Sequence, residues 1–191
     1  MTDRREMIRR RQAITRRAEK EQALKDRLAP FVKGKTVAAY QPVRGEAAVW
    51  QPGWLLPVTD PETKTMRFAT GPLRSGAWGI PEPDPATAAF VSPEDIDVIL
   101  VPMVAFCGLH RMGYGQGFYD RYLRRTKALK IGIAFACQET RFEPAPWDVD
   151  MDMVITDTGI YPPVYNETRD LPQPASAPEC QQTPTETGKS S

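Results

Sequence analysis

A chain of 191 residues, 41% hydrophobic and 26% charged, has the length and apolar content of one domain with room for a tail. Its formal net charge of +1 makes no global case for nucleic-acid binding, and no apolar run approaches the ~20 residues that span a bilayer. The single histidine, His110, excludes multi-histidine metal sites; Cys107, Cys137 and Cys180 show neither metal-ligand nor disulfide spacing, and no signal-peptide apolar region is visible, so a cytoplasmic setting is expected.

Residues 1–28 are rich in Arg and Ala and lack Gly and Pro, which predicts a helix, with Glu21 and Lys25 at the favourable i, i+4 spacing. Apolar positions are sparse before Leu24, Leu28 and Phe31, so the first half is solvated or faces a ligand. Its arginines fit a basic surface helix or a polyanion-binding arm. Residues 35–40 (KTVAAY) read as the first core strand, and Glu46 follows a Pro-Val-Arg-Gly turn. Trp50-Gln51-Pro52-Gly53-Trp54 cannot continue as a helix; it either covers a sheet face or walls a pocket. Residues 65–69 read as a short strand, and 75–85 as a turn-rich segment stiffened by Pro81 and Pro83 around Glu82.

The most informative stretch is 97–123. Val98, Ile99, Leu100 and Val101 form a short apolar run suited to a strand buried on both faces, ending near Pro102. Gly113, Gly115 and Gly117 alternate with Tyr114 and Gln116, and 118–123 (FYDRYL) reads as the start of a helix with inward aromatics. A phosphate needs several backbone amides aimed at one point, which demands positive φ and no Cβ in the way. Arg111 and Arg121 flank the loop with fixed positive charge, and Asp120 offers a hard oxygen to Mg2+. A tight turn with Asp120 and Arg121 merely capping or pairing is the other reading of the same residues. Residues 128–136 (ALKIGIAFA) read as a buried strand and 153–156 as a last short one. From 162 to 191, six prolines among Ser, Thr, Glu and Gln read as a disordered tail carrying Cys180 as a free thiol.

Pro102, Phe106, Arg111, Met112, Gly113, Tyr114, Gly115, Gln116, Gly117, Phe118, Tyr119, Asp120 and Arg121 together resemble the signature of the 5-formyltetrahydrofolate cyclo-ligases, also called 5,10-methenyltetrahydrofolate synthetases. Supporting matches run in family order from Tyr40 to Thr156: Tyr40-Gln41-Pro42 with Glu46, Gly79-Ile80-Pro81-Glu82-Pro83, Ile131-Gly132-Ile133-Ala134-Phe135 with Gln138, and Asp148 ahead of Met153-Val154-Ile155-Thr156. The resemblance implies a three-layer α/β domain over 1–161. Its central sheet would be mixed or mostly parallel and flanked by helices, like the CoA-transferase and ribose-phosphate-isomerase group. It further implies ATP- and Mg2+-dependent conversion of 5-formyltetrahydrofolate to 5,10-methenyltetrahydrofolate with release of ADP and phosphate, by a monomer or weak dimer with no nucleic-acid or membrane partner.

By the same resemblance, ATP is held by Arg5, Arg9, Arg111, Met112, Gly113, Tyr114, Gly115, Gln116, Gly117, Phe118 and Tyr119. The folate meets Gln41, Glu46, Tyr114, Gly115, Gln116, Gly117 and Phe118, and the metal meets Asp120 and Asp148; no catalytic residue is assigned. The chain also departs from the family pattern. Cys107 replaces an Asp, Leu109 stands where glycine is usual, Trp147 replaces a His, and the helix usual between Glu46 and Leu55 is missing. Those departures set a second reading beside the first, a catalytically silent or substrate-altered nucleotide- or folate-binding paralogue. A nucleic-acid module built on the arginine helix is a third. Only His110 is placed to activate Cys107 as a nucleophile.

Overall fold

A computed structural model describes residues 3–162; the expected tail beyond 162, with Cys180, lies outside the described residues. The predicted N-terminal helix is two helices, α1 (Arg4–Gln12) and α2 (Arg17–Val32). Asp3 caps α1 by accepting the Arg5 N–H at 2.9 Å. The break falls at 13–16, where Arg16 takes φ of 53°. Helix ends leave carbonyls without intrahelical partners, and here the Arg17 guanidinium supplies one, donating to Arg11 O at 2.7 Å and to Gly45 O at 3.1 Å.

The chain continues through β1 (Val37–Ala38), β2 (Leu56–Asp60), β3 (Thr65–Thr70), β4 (Leu73–Ser75), β5 (Pro81–Pro83), β6 (Ala89–Val91), β7 (Val98–Pro102), β8 (Ala105–Cys107) and β9 (His110–Met112). After α3 (Phe118–Leu123) come β10 (Leu129–Ile133), β11 (Met153–Ile155) and β12 (Ile160–Tyr161). The central sheet has the order β1-β7-β10-β11-β12, parallel throughout except for β12. A mostly parallel sheet buried on both faces is what the apolar runs at 98–101 and 128–136 require.

Alternation along β7 shows the layering. Ile99 and Val101 enter one buried cluster with Phe68, Tyr122, Leu123 and Val154; Val98 and Leu100 enter another with Leu24, Leu28, Ile131 and Ile155. One face is therefore covered by α2, and Trp50 and Trp54 pack there too, with Trp50 Nε1 donating to Trp54 O at 3.4 Å. The tryptophans cover this sheet face and are not among the residues that line the cleft described below. The other face carries α3 and a second, antiparallel sheet, β2-β3-β6, of which only β3 was legible beforehand. No helix among the described residues is long and apolar enough to cross a membrane.

Phe68 joins these layers. It is fully buried on β3 and meets the Tyr122 ring of α3 edge-on, centroids 5.0 Å apart. Truncation removes both transfer energy and packing, so Phe68→Ala should destabilise the fold by about 3–5 kcal/mol. Urea unfolding followed by circular dichroism measures this, and a loss below about 1 kcal/mol would contradict the assigned packing.

Candidate active site

The β8–β9 hairpin delivers the chain to the glycine loop, and the three glycines are required for different reasons. Gly115 and Gly117 have φ of +90° and +70°, the left-handed region that penalises a Cβ. Gly113 does not; there a Cβ would lie 2.5 Å from Arg111 Nη1, so glycine is set by the close approach of that guanidinium. Nothing lies within 4 Å of a Cβ built on Gly115, so the loop faces open space.

That space is a cleft of about 1000 Å3. Gln41 to Glu46 follow the carboxyl end of β1, and Pro102 ends β7, so the cleft sits at the carboxyl ends of parallel strands, where open α/β sheets bind ligands. The β4–β5 hairpin forms the opposite wall. Its Trp78, at φ of +57° and 64% exposed, meets Phe118 edge-on with centroids 5.9 Å apart. Glu82 is buried in the same wall, held by the Thr59 N–H and by Arg74, each at 3.2 Å.

At the inner end lies a buried polar network. Arg11 is fully buried and donates from Nη1 to Met103 O at 2.9 Å, and from Nη2 to Arg44 O at 3.0 Å and to the Tyr114 hydroxyl at 2.6 Å. The Tyr114 hydroxyl donates to Glu46 Oε1 at 3.0 Å, while Oε2 accepts the Val43 N–H at 2.9 Å. Burial raises the Glu46 pKa above its ordinary value, opposed by the Val43 hydrogen bond and by the Arg11 charge. Tyr114 is pushed up to about 12 by burial, then by the Glu46 charge. Glu46 is thus no exposed turn carboxylate.

Arg111 is buried and donates from Nη2 to Asp120 Oδ1 at 2.6 Å; the Val149 N–H reaches the same oxygen at 3.3 Å. Asp148 accepts the Ala145 N–H at 2.9 Å through Oδ2. Arg111 Nε and the Tyr119 hydroxyl are buried with no hydrogen-bond partner among the described residues, and both residues line the cleft. Orphaned donors on a cleft wall suit a ligand that brings acceptors. Among the described residues no group of three or more His, Cys, Asp and Glu side chains could hold a metal by protein ligands alone.

The structure brings Gln41, Glu46, Arg111, Met112, Gly113, Tyr114, Gly115, Gln116, Gly117, Phe118, Tyr119, Asp120 and Asp148 to this one cleft. It does not bring Arg5 and Arg9, which are exposed on α1, with Arg9 paired to Glu6 at 2.9 Å. Arg4 takes their place, its Nε donating to Gly113 O at 3.0 Å. Register explains the placement: Arg4, Met7 and Arg11 stand at i, i+3 and i+7, so burying Met7 turns Arg11 into the core and sets the exposed Arg4 on the side that reaches the glycine loop. The apolar pair Met7-Ile8 in an otherwise polar run is the signal that could have identified the inward face. The other helix arginines largely meet local acids, Arg10 with Glu6, Arg16 with Glu19 and Arg17 with Glu21, which weakens a polyanion-binding arm. Cys107 is buried in β8 outside the cleft, and the His110 ring faces Asp150 at 2.7 Å, which removes the nucleophile reading.

Comparisons with known proteins agree with this geometry. The 5-formyltetrahydrofolate cyclo-ligase family matches residues 1–157. A Mycoplasma genitalium 5-formyltetrahydrofolate cyclo-ligase is 47% identical over 68 residues, 34% of this chain and 41% of that protein. The match thus spans about two fifths of that relative's length. A Haemophilus influenzae protein of the same name is 30% identical over 138 residues, 62% of this chain and 74% of that one. The solved 5,10-methenyltetrahydrofolate synthetase of Aquifex aeolicus superposes with a TM-score of 0.69 at 28% identity, covering 89% of this chain and 94% of that one. With glycine loop, buried glutamate and parallel sheet all in the family's order, the chain belongs to the 5-formyltetrahydrofolate cyclo-ligase family.

Proposed function

We propose that this chain uses ATP and Mg2+ to convert 5-formyltetrahydrofolate into 5,10-methenyltetrahydrofolate, releasing ADP and phosphate. The observation that carries the reading is the convergence of the glycine loop, the Arg111–Asp120 pair, Asp148 and the Glu46 network on one cleft. A formamide oxygen is a poor leaving group. Transfer of the γ-phosphoryl group to it breaks the bond to the β-phosphate oxygen and makes a P–O bond. The folate's N10 then attacks the formyl carbon and loses its proton. Cleavage of the C–O bond expels phosphate and leaves the methenyl bridge.

Phosphoryl transfer asks a protein for position and charge rather than for a nucleophile. The amides of 113–117, the unpartnered Arg111 Nε, and Arg4 and Arg121 on the cleft wall would hold the phosphates. Arg111 and Val149 both use Asp120 Oδ1, and Ala145 uses Asp148 Oδ2, so each carboxylate keeps a second oxygen for a cation. Mg2+ bound with nucleotides takes one or two protein carboxylates, and there it would offset phosphate charge. Glu46 would accept hydrogen bonds from the pterin edge, and the Gln41 amide could both accept and donate them. Trp78 and Phe118 give the ring an aromatic wall.

Where the departures fall favours turnover over a silent paralogue. Cys107 is in the core and Trp50 and Trp54 are on the sheet face; of the departures named, Trp147 lines the cleft, beside Asp148, while the glycine loop, Arg111, Asp120 and Glu46 are all kept there. Near-ultraviolet absorbance of the methenyl product should rise only with folate, ATP and Mg2+ together; no ATP-dependent rise would sink the reading.

Two variants probe the two ends of the cleft. Gly115→Val places a β-branched residue at φ of +90° and should abolish Mg–ATP binding in calorimetry while circular dichroism is kept. Unchanged binding would show that the loop is only a turn. Glu46→Gln should raise the folate KM about tenfold to a hundredfold, the equivalent of one charged hydrogen bond. Because the Glu46 pKa is raised, wild-type folate affinity should fall as pH drops through a value above the ordinary carboxylate range. The variant should lose that step, and a step kept by Glu46→Gln assigns the titration elsewhere.

A further inference from the structure

A second cavity, of about 220 Å3, lies between α3 and the β3–β6 edge, with Met66 bordering both it and the main cleft. Its lining includes Arg67, Phe90, Ser92, Tyr122 and Arg125. Tyr122 is only 4% exposed, yet its hydroxyl has no hydrogen-bond partner among the described residues. Tyr122 lines the cavity together with Arg125, so a ligand there adjoins the residue that carries this unpartnered hydroxyl. Burying a hydroxyl without a partner is costly, and a ligand that accepts its hydrogen bond would remove that cost.

The rim supplies positive charge. Among the described residues neither Arg67 nor Arg125 closes an ion pair. Arg67 lies over the Phe90 ring, 3.7 Å from its centroid, which fixes the guanidinium beside the opening. The Thr126 hydroxyl donates to Pro93 O at 3.0 Å and ties the Arg125 segment to the opposite rim. One carboxylate works against this field: Glu94, which accepts the Ser92 hydroxyl and feels Arg125.

We propose that this niche is a second anion site, built for one phosphate group held by the Tyr122 hydroxyl and the Arg67 and Arg125 guanidinium groups. Guanidinium forks match phosphate oxygens, and the volume admits a phosphate but not a nucleotide. The site does not depend on the reaction proposed for the main cleft.

The test is residue-resolved, because phosphate can also enter the glycine loop. Backbone amides of the isotopically labelled full chain are titrated with sodium phosphate at constant ionic strength, with chloride as control and Mg–ADP saturating the main cleft. Saturable shifts are expected at Arg67, Ser92 and Arg125, with a Kd on the order of 1 mM. Phosphoserine in place of inorganic phosphate separates a site for phosphate monoesters from one for the free ion. Tyr122→Phe, which removes an unpartnered hydroxyl, should weaken binding about fivefold, and Arg125→Gln about tenfold or more. Glu94→Gln should tighten it. Shifts confined to 113–117, or an affinity indifferent to both Tyr122→Phe and Arg125→Gln, would overturn the proposal.

Discussion

A single buried guanidinium holds the cleft in shape. Arg11 has no exposed surface, and a charge in that position costs several kcal/mol unless its donors are satisfied. The protein meets that demand with carbonyls from two places and a hydroxyl from a third. Val43 and Arg44 lie beyond β1, Met103 lies beyond β7, and Tyr114 sits in the glycine loop. One side chain on α1 thus fixes the carboxyl ends of two central strands and the glycine loop against each other. The same charge lies 4.0 Å from Glu46 and offsets part of the cost of burying that carboxylate. Without it, one of the influences that hold the Glu46 pKa down against burial would be lost.

The second pair works on the same principle at the other end. Arg111 crosses beneath Gly113 so closely that a Cβ there would collide with it, and it holds Asp120 at 2.6 Å. Glycine spacing, arginine and aspartate are therefore one unit rather than three features that happen to adjoin. The loop amides are presented by a backbone that follows the guanidinium, and the carboxylate arrives on the first turn of α3.

Local chemistry decided what could be read from the chain. Four consecutive apolar residues at 98–101 can only be buried on two faces, and alternating glycines before an aromatic helix start can hardly be anything but a loop against an anion or a tight turn. Both were legible because the constraint and the residues are adjacent. The antiparallel sheet was not. β2 begins Leu56-Pro57 and β6 is three residues long, so neither shows alternation, and both exist through pairing with β3 across distant sequence. The arginine register failed for a related reason. With so many arginines in α1, spacing alone favours no face, and only the burial of Met7 beside Val104 and Ala105 selects Arg4 and Arg11 over Arg5 and Arg9.

The two ends of the cleft differ in how their charges are paired. At the loop end, Arg4, Arg111 and Arg121 dominate, and the acids Asp120 and Asp148 are each tied through one oxygen only. At the inner end the charges are matched: Glu46 is buried, accepts from Tyr114 and Val43, and lies 4.0 Å from Arg11. Tyr114 belongs to the glycine loop, so one side chain joins that network to the loop end. The contrast lies in what is left over. Arg111 keeps an unpartnered Nε on a residue that lines the cleft, whereas both Glu46 oxygens are already bonded, so the demand for a further acceptor falls at the loop end.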